Sequence, residues 1–147
     1  MSFFHALNVS ASGLTAQRLR MDIISENIAH AETTRTEDGG PYKRKVALFA
    51  EKTDTVPFYS YFNSFLGSAE KGAGVRVTGI TEDNSPGRVV YDESHPDANE
   101  DGYVTMPNVN IVEEMVNMIS SSRSYEANLT SINITKSMMS KTLEISR

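Results

Sequence analysis

The chain has 147 residues, 39% of them apolar and 22% charged, with a net charge of −5 and no cysteine. This composition is not that of a disordered chain, and no run approaches the roughly 18 apolar residues of a bilayer crossing. Absence of cysteine excludes disulfide scaffolds, thiolate metal sites and cysteine nucleophiles, and an acidic balance makes a poor general ligand for nucleic acid or anionic membranes.

Residues 1–31 and 111–147 are each neutral, so the whole negative excess lies between 32 and 110. Neutral ends suit burial among like copies, and an acidic middle suits a solvated exterior. Met1 to His5 lacks the basic start and unbroken apolar core of a cleaved signal peptide. Over the first thirty-one residues, Phe3, Leu7, Ser10, Leu14, Gln17, Met21, Ile24, Ile28 and Ala31 recur at alternating spacings of four and three. This is the seam of a helix that packs along another helix. Ser10 or Ser12 caps it if the first turns fray. Gly13 either admits a neighbouring backbone or is a tolerated weak point costing about 1 kcal/mol relative to Ala.

The helical pattern fades at Glu32-Thr33-Thr34, and Glu37 to Pro41 marks a turn. Tyr42 to Glu51 reads as a strand with Val46 and Leu48 on one face. Its run Lys43-Arg44-Lys45 is either a nucleic-acid patch or charge that discourages edge-to-edge pairing. From Val56 to Leu66 the chain is aromatic, with Phe58, Tyr59, Tyr61, Phe62 and Phe65. It fits no period, and reads as a plug for a small β core or a docking loop for another subunit. Gly67 to Gly74 is a flexible exit. Gly74 to Ile80 alternates as a strand, Asp83 to Gly87 is a turn, and Arg88 to Tyr91 is a second strand, which is hairpin grammar. These strands, with Tyr103-Val104-Thr105, predict one small antiparallel sheet over residues 41–106.

Asn110 with Glu113 resembles a capping box that opens a longer helix. There Ile111, Met115, Met118, Ser122, Tyr125, Leu129, Ile132, Lys136, Met139 and Leu143 repeat the same spacing, and eight of the ten are apolar. Such a helix, roughly 54 Å long at ~1.5 Å per residue, needs another long helix to bury its stripe. The predicted class is therefore α+β: a helical domain of residues 1–34 and 108–147 with a β module, 35–107, inserted between. The inner packing residues are Leu7, Leu14, Met21 and Ile28, facing Met118, Tyr125, Leu129 and Ile132. Met115, Met139 and Leu143 extend the stripe. The second helix is longer by about two turns, which leaves apolar surface for neighbours.

Chemistry is weakly represented. Asp97-Ala98-Asn99-Glu100-Asp101-Gly102 matches the first half of a calcium loop, but Asn108 stands where a bidentate Glu is required. His5, His30 and His95 lie at no metal-ligand spacing. Asp92-Glu93-Ser94-His95 offers acid, base and nucleophile without room for a pocket, so a hydrogen-bonded turn is the better reading. Ser120 to Ser124 reads as close helix packing more readily than as a phosphorylation cluster. No catalytic, cofactor-binding or metal residue is assigned, no cofactor is expected, and the chain is read as a non-enzyme.

Ser10-Ala11-Ser12-Gly13-Leu14-Thr15-Ala16-Gln17-Arg18, followed by Ile24-Ser25-Glu26-Asn27-Ile28-Ala29, resembles the N-terminal signature of the bacterial flagellar rod and hook proteins. The run from Tyr91 through His95, Pro96, Asp97, Asn99, Gly102 and Tyr103 to Pro107 and Asn108 resembles their proximal-rod members specifically. Glu32 to Thr36 and Gly39 to Tyr42 support this. The chain departs from the pattern at His30, where Asn is usual, and at Glu93, where Pro is common. The resemblance implies a structural subunit of the flagellar basal body that stacks with other rod proteins and copies of itself into a periplasmic drive shaft around an export channel. It also implies passage through the flagellar export apparatus without a cleaved signal, and neither nucleic acid nor small-molecule substrate as partner. The alternative from another class is a soluble coiled-coil adaptor or export chaperone.

Overall fold

The computed structural model describes residues 3–37, 39–52 and 73–145. The aromatic stretch Phe58–Phe65 and most of the glycine-rich exit lie outside them. The elements are α1 (Phe3–Ala29), β1 (Lys45–Glu51), β2 (Val75–Glu82), β3 (Val89–Tyr91), β4 (Tyr103–Thr105) and α2 (Ile111–Ile145). Two long terminal helices with a small antiparallel β module between them make the fold α+β.

The helices run antiparallel, and three contacts fix their alignment. Asn27 Nδ2 donates to Glu114 Oε2 at 3.0 Å. A Cβ at Gly13 would stand 3.1 Å from the Asn128 amide. Ser10 Oγ meets Ser131 Oγ at 3.5 Å. By the same alignment Phe3 stands level with Met138, so α2 runs about two turns past the start of α1. At Gly13 it is a side chain, not a backbone, that the missing Cβ admits.

α1 ends where expected, in a turn in which the Thr33 N–H donates to the His30 carbonyl at 3.1 Å. Ser12 is no cap. Its Oγ donates to the Val9 carbonyl and accepts the Val75 N–H at 3.1 Å, which ties β2 to the helix. α2 is capped by Asn110, whose Oδ1 accepts the Val112 N–H at 3.1 Å. That satisfies one of the free donors of the first turn.

The β module differs from the single sheet expected. β1 pairs antiparallel with β2, with a bulge between Leu48 and Phe49, and β3 pairs antiparallel with β4, giving two separate two-stranded ribbons. The turn at Asp83–Gly87 does not close a hairpin because its polar groups are engaged elsewhere. The Asp83 N–H donates to the Arg44 carbonyl at 2.8 Å. Asp83 Oδ1 accepts the Ser85 N–H at 2.9 Å. The Asn108 amide donates to the Asp83 and Ser85 carbonyls. The segment thus bridges one ribbon to the other. At Gly87 any Cβ would collide with the Met106 carbonyl, so only glycine lets the chain pass there.

Buried apolar side chains among the described residues are few: Ala16, Ile23, Ile24, Tyr42 and Val104. On α2 the fully buried side chains are polar, Glu114 and Ser121. The face that α2 turns to α1 runs through Glu114, Asn117, Met118, Ser121, Tyr125, Asn128, Ile132 and Thr135. It lies about one position round from the apolar stripe, which leaves much of that stripe in solvent.

Candidate functional site

Two features stand out: a buried polar cluster where α1, β1 and α2 meet, and an exposed apolar surface on α2. In the cluster Asn27 uses its whole amide. Its Oδ1 accepts the Tyr42 hydroxyl at 3.0 Å and the Lys45 N–H at 2.9 Å. Its Nδ2 donates to the Lys45 carbonyl at 2.9 Å and to Glu114. A side chain that completes a backbone pairing in this way fixes the angle at which β1 leaves the helix. Glu114, 1% exposed, accepts Arg44 Nη2 at 2.7 Å and Nε at 3.0 Å on one oxygen and Asn27 on the other. A buried carboxylate is tolerable only when paired and hydrogen-bonded, and here it is both.

The cluster has an outer layer. Lys45 Nζ meets Glu26 Oε1 at 2.6 Å and lies 5.6 Å from the Tyr42 ring centroid. The hydrogen bond that Lys45 donates to Glu26 raises the Lys45 pKa, and burial, followed by the nearby Glu26 charge, raises that of Tyr42. His30 stacks on Tyr42 with centroids 4.8 Å apart. The run Lys43-Arg44-Lys45 is thereby accounted for, since Lys43 lies 3.9 Å from Glu82 and the other two cations reach Glu114 and Glu26. Each of these cations therefore has a carboxylate of the same chain at 3.9 Å or closer. A groove of about 590 Å³ runs past His30, Tyr42, Lys43 and Lys45, and within it Lys43 pairs with Glu82 and Lys45 with Glu26.

The loop that carries His95, Pro96 and Asp97 is fastened by its own hydrogen bonds and by contacts to Thr34 and Arg35. Asp92 Oδ1 accepts the Ser94 N–H and hydroxyl at 3.0 and 2.6 Å, which holds its carboxyl below the usual range. His95 Nδ1 accepts the Asp97 N–H at 3.1 Å. The Asp97 carboxylate takes the Thr34 hydroxyl at 2.7 Å and lies 4.0 Å from Arg35. Asn99 Oδ1 accepts the Tyr103 N–H at 2.8 Å. The first oxygens of the calcium-like sequence are therefore turned to other partners. Gly102 has φ +78°, and a Cβ there would crowd Glu93 and Tyr91, so both backbone and space require glycine. Pro107 is buried, and Asn108 Oδ1 accepts the Arg44 N–H at 2.8 Å, which joins this loop's exit to the polar cluster.

Of the expected packing residues, Leu7, Leu14, Met21 and Ile28 on α1 and Met118, Tyr125 and Ile132 on α2 are half-buried. Met115, Leu129, Met139 and Leu143 are exposed. Val112, Val116 and Ile119, not singled out from sequence, are exposed as well, and with Met115 they form one apolar patch over the first turns of α2. The signal was present at spacings of three and four from Val112, one step away from the chosen stripe. The roles of Arg44 and Glu114 were also missed, because nothing local links residues seventy positions apart.

Comparison with known proteins decides what such a molecule is. Residues 7–35 match the family described as Flagella basal body rod protein, and residues 100–145 match the Flagellar basal body rod FlgEFG protein C-terminal family. The chain is 50% identical to the flagellar basal-body rod protein FlgC of Bacillus subtilis over 100% of both chains. It is 49% identical to FlgC of Borreliella burgdorferi over 99% of this chain and 98% of the relative. With FlgC of Salmonella typhimurium it shares 37% identity over 99% and 98%. The chain belongs to the flagellar basal-body rod proteins of the FlgC type. It is a structural subunit of the flagellar basal body and assembles with other components of that body. In this rod protein both matched segments contribute to the polar cluster, Asn27 from the first and Glu114 from the second.

Proposed function

We propose that the chain packs with copies of itself and with other rod proteins into the periplasm-spanning shaft of the flagellum, which transmits torque and encloses the export channel. On this reading the terminal helices form the inner wall, the acidic β module faces outward, and no catalysis or cofactor is involved. The subunit reaches its place through the flagellar export apparatus without a cleaved signal. The contacts between subunits run through the unburied stripe of Met115, Leu129, Met139 and Leu143, together with Val112, Val116 and Ile119. The half-buried Leu7, Leu14, Met21, Ile28, Met118, Tyr125 and Ile132 hold the helix pair together.

One observation carries this reading: α2 exposes large apolar side chains from its first turns to its last, with Val116 62% and Leu143 65% exposed. An exposed apolar patch such as that of Val112, Met115, Val116 and Ile119 marks a protein interaction site. Contacts that are heterologous and do not close on themselves build filaments. A free adaptor or chaperone with a coiled-coil stalk is less favoured, because the full-length relatives are rod proteins.

The test is Val116→Asp combined with Leu143→Asp. Both side chains stand in solvent, so the purified variant keeps its helical circular dichroism. The expected result is loss of motility and absence of the variant from isolated basal bodies. Full motility with a normal amount of the variant in basal bodies would overturn the assignment of this surface.

A further inference from the structure

The apolar residues of the helix pair do not choose its alignment. Leu7, Leu14, Met21 and Ile28 follow one another at intervals of seven, and so do Met118, Tyr125, Ile132 and Met139. Sliding α2 by one heptad therefore lays apolar side chains over apolar side chains again, at little cost in burial. The small residues do not resist such a slide either. Gly13 would face Ser121 or Thr135 instead of Asn128, and neither is larger. Fully buried apolar contact from α1 comes from Ala16, Ile23 and Ile24, and opposite them α2 supplies a buried serine, Ser121.

We propose that Asn27, Arg44 and Glu114 act as positioning residues that set the register of the helix pair, and hence the alignment of the surfaces this subunit presents for assembly. In the observed alignment Glu114 receives Arg44 on one oxygen and Asn27 on the other, while Asn27 is held from behind by the β1 backbone. Lys45 opens β1 and Arg44 immediately precedes it, so the socket lies outside α2, and α2 has one carboxylate that fits it. A slide of seven residues in one direction brings Ser121 into the socket, and in the other Pro107. Either takes the close carboxylate from Arg44, which keeps only Asp83 at 3.9 Å, and leaves an Asn27 amide donor unpaired in the interior, the kind of cost that specifies register in paired helices. One direction sets Glu114 level with Arg20, so an ion pair alone does not discriminate between registers. The complete set of partners does. Where the rod-subunit reading holds, a slip carries the exposed stripe of α2 by roughly 10 Å relative to α1, at ~1.5 Å per residue, and neighbouring subunits lose their match.

The native chain has no cysteine, so engineered pairs report register without background. Ser10→Cys with Ser131→Cys reports the observed alignment, since the two hydroxyls lie 3.5 Å apart. Ser10→Cys with Ser124→Cys or Met138→Cys reports a slip of one heptad either way. Under mild oxidation the otherwise unaltered protein should close only the 10–131 bond. Glu114→Ala should lose it and close 10–124 or 10–138, a shift of seven residues. Glu114→Gln, which keeps oxygen acceptors for Arg44 and Asn27, should restore 10–131. A folded Glu114→Ala protein that keeps the 10–131 bond, or closes none of the three, overturns the proposal. Should Glu114→Ala lose its helical circular dichroism, Arg44→Met is scored in the same way. Unfolding of both would also overturn it, because the cluster would then supply bulk stability and not register. The cross-links are read on the isolated chain, so they stand apart from any failure of the assembly reading.

Discussion

Where α1 ends and α2 begins, Asn27 has a partner for each of its amide positions and Glu114 is wrapped by Arg44 and Asn27. Further along the same helix pair, Gln17 Oε1 in the middle of α1 and His5 Nδ1 near its far end are buried with no hydrogen-bond partner among the described residues. There Met138, Met139 and Leu143 stand in solvent. The first end is completed within the chain. Among the described residues, the second has neither the polar satisfaction nor the apolar cover of a finished interface. The difference shows that one helix pair can separate two tasks. One end holds the subunit's internal geometry, and the other, with the outer face of α2, carries the exposed apolar surface that the proposed assembly would cover.

Glu114→Ala tests this contrast most severely. It takes the close carboxylate from Arg44, which keeps only Asp83 at 3.9 Å, and leaves one Asn27 amide hydrogen unpaired, and removing one partner of a buried pair costs ~3–5 kcal/mol. The Arg44 side chain is 27% exposed, so water recovers part of that, and the expectation is the low end, about 3 kcal/mol. Urea unfolding followed by circular dichroism would measure it. At the open end, Leu143→Ala should stay within about 0.5 kcal/mol of the unaltered protein. Equal losses at the two positions would erase the distinction.

The sequence made the helices and their stripes legible because a period of three and four survives any tertiary context. It also made legible that α2 outruns α1 and that Asp92 to Gly102 is a turn, since Asp, Ser, Asn and Gly close turns with their own backbone. The partition of the strands was not legible. Asp83–Gly87 has every local mark of a hairpin, but Arg44 and Asn108, distant in sequence, claim its polar groups. The buried face of α2 was legible at Met118, Tyr125 and Ile132 but not at Glu114, Asn117 and Ser121, for a related reason. Periodicity ranks positions by hydrophobicity, whereas this face is chosen by a carboxylate with a guanidinium waiting for it. Glu114 looks like any solvated glutamate in a first helical turn until β1 is placed beside it.

Alkaline pH probes the paired end more gently. The folded-state pKa of Lys45 lies above its ordinary 10.5 because of its bond to Glu26, and that of Tyr42 lies above 10.0 chiefly through burial. A raised folded pKa means that the stabilisation is fully present below the unfolded value and is lost as pH rises through the folded one. Stability should therefore hold up to about pH 10 and fall above it. The fall should be smaller than for Glu114→Ala, since both Lys45 and Glu26 are partly in water. Lys45→Met should flatten the part due to the lysine. An unchanged alkaline limb in that variant would remove Lys45 from the paired end.

Gly13→Ala is the smallest and most informative change at the open end. An alanine in a helix interior stabilises by about 1 kcal/mol over glycine. The new Cβ would stand 3.1 Å from the Asn128 amide, closer than ordinary contact, so Asn128 must give by a few tenths of an ångström. That amide donates to the Ser124 carbonyl at 2.9 Å, and weakening the bond costs some part of ~0.5–1.5 kcal/mol. The two effects nearly cancel, and the unfolding free energy should move by less than about 0.5 kcal/mol. The sign is what matters. Stabilisation by the full helix-propensity difference would mean that Asn128 moves aside freely and the open end is loosely packed. A clear loss would mean that the helices are seated at Gly13 as firmly as at Asn27, and the contrast between the two ends would then rest on exposed apolar surface alone.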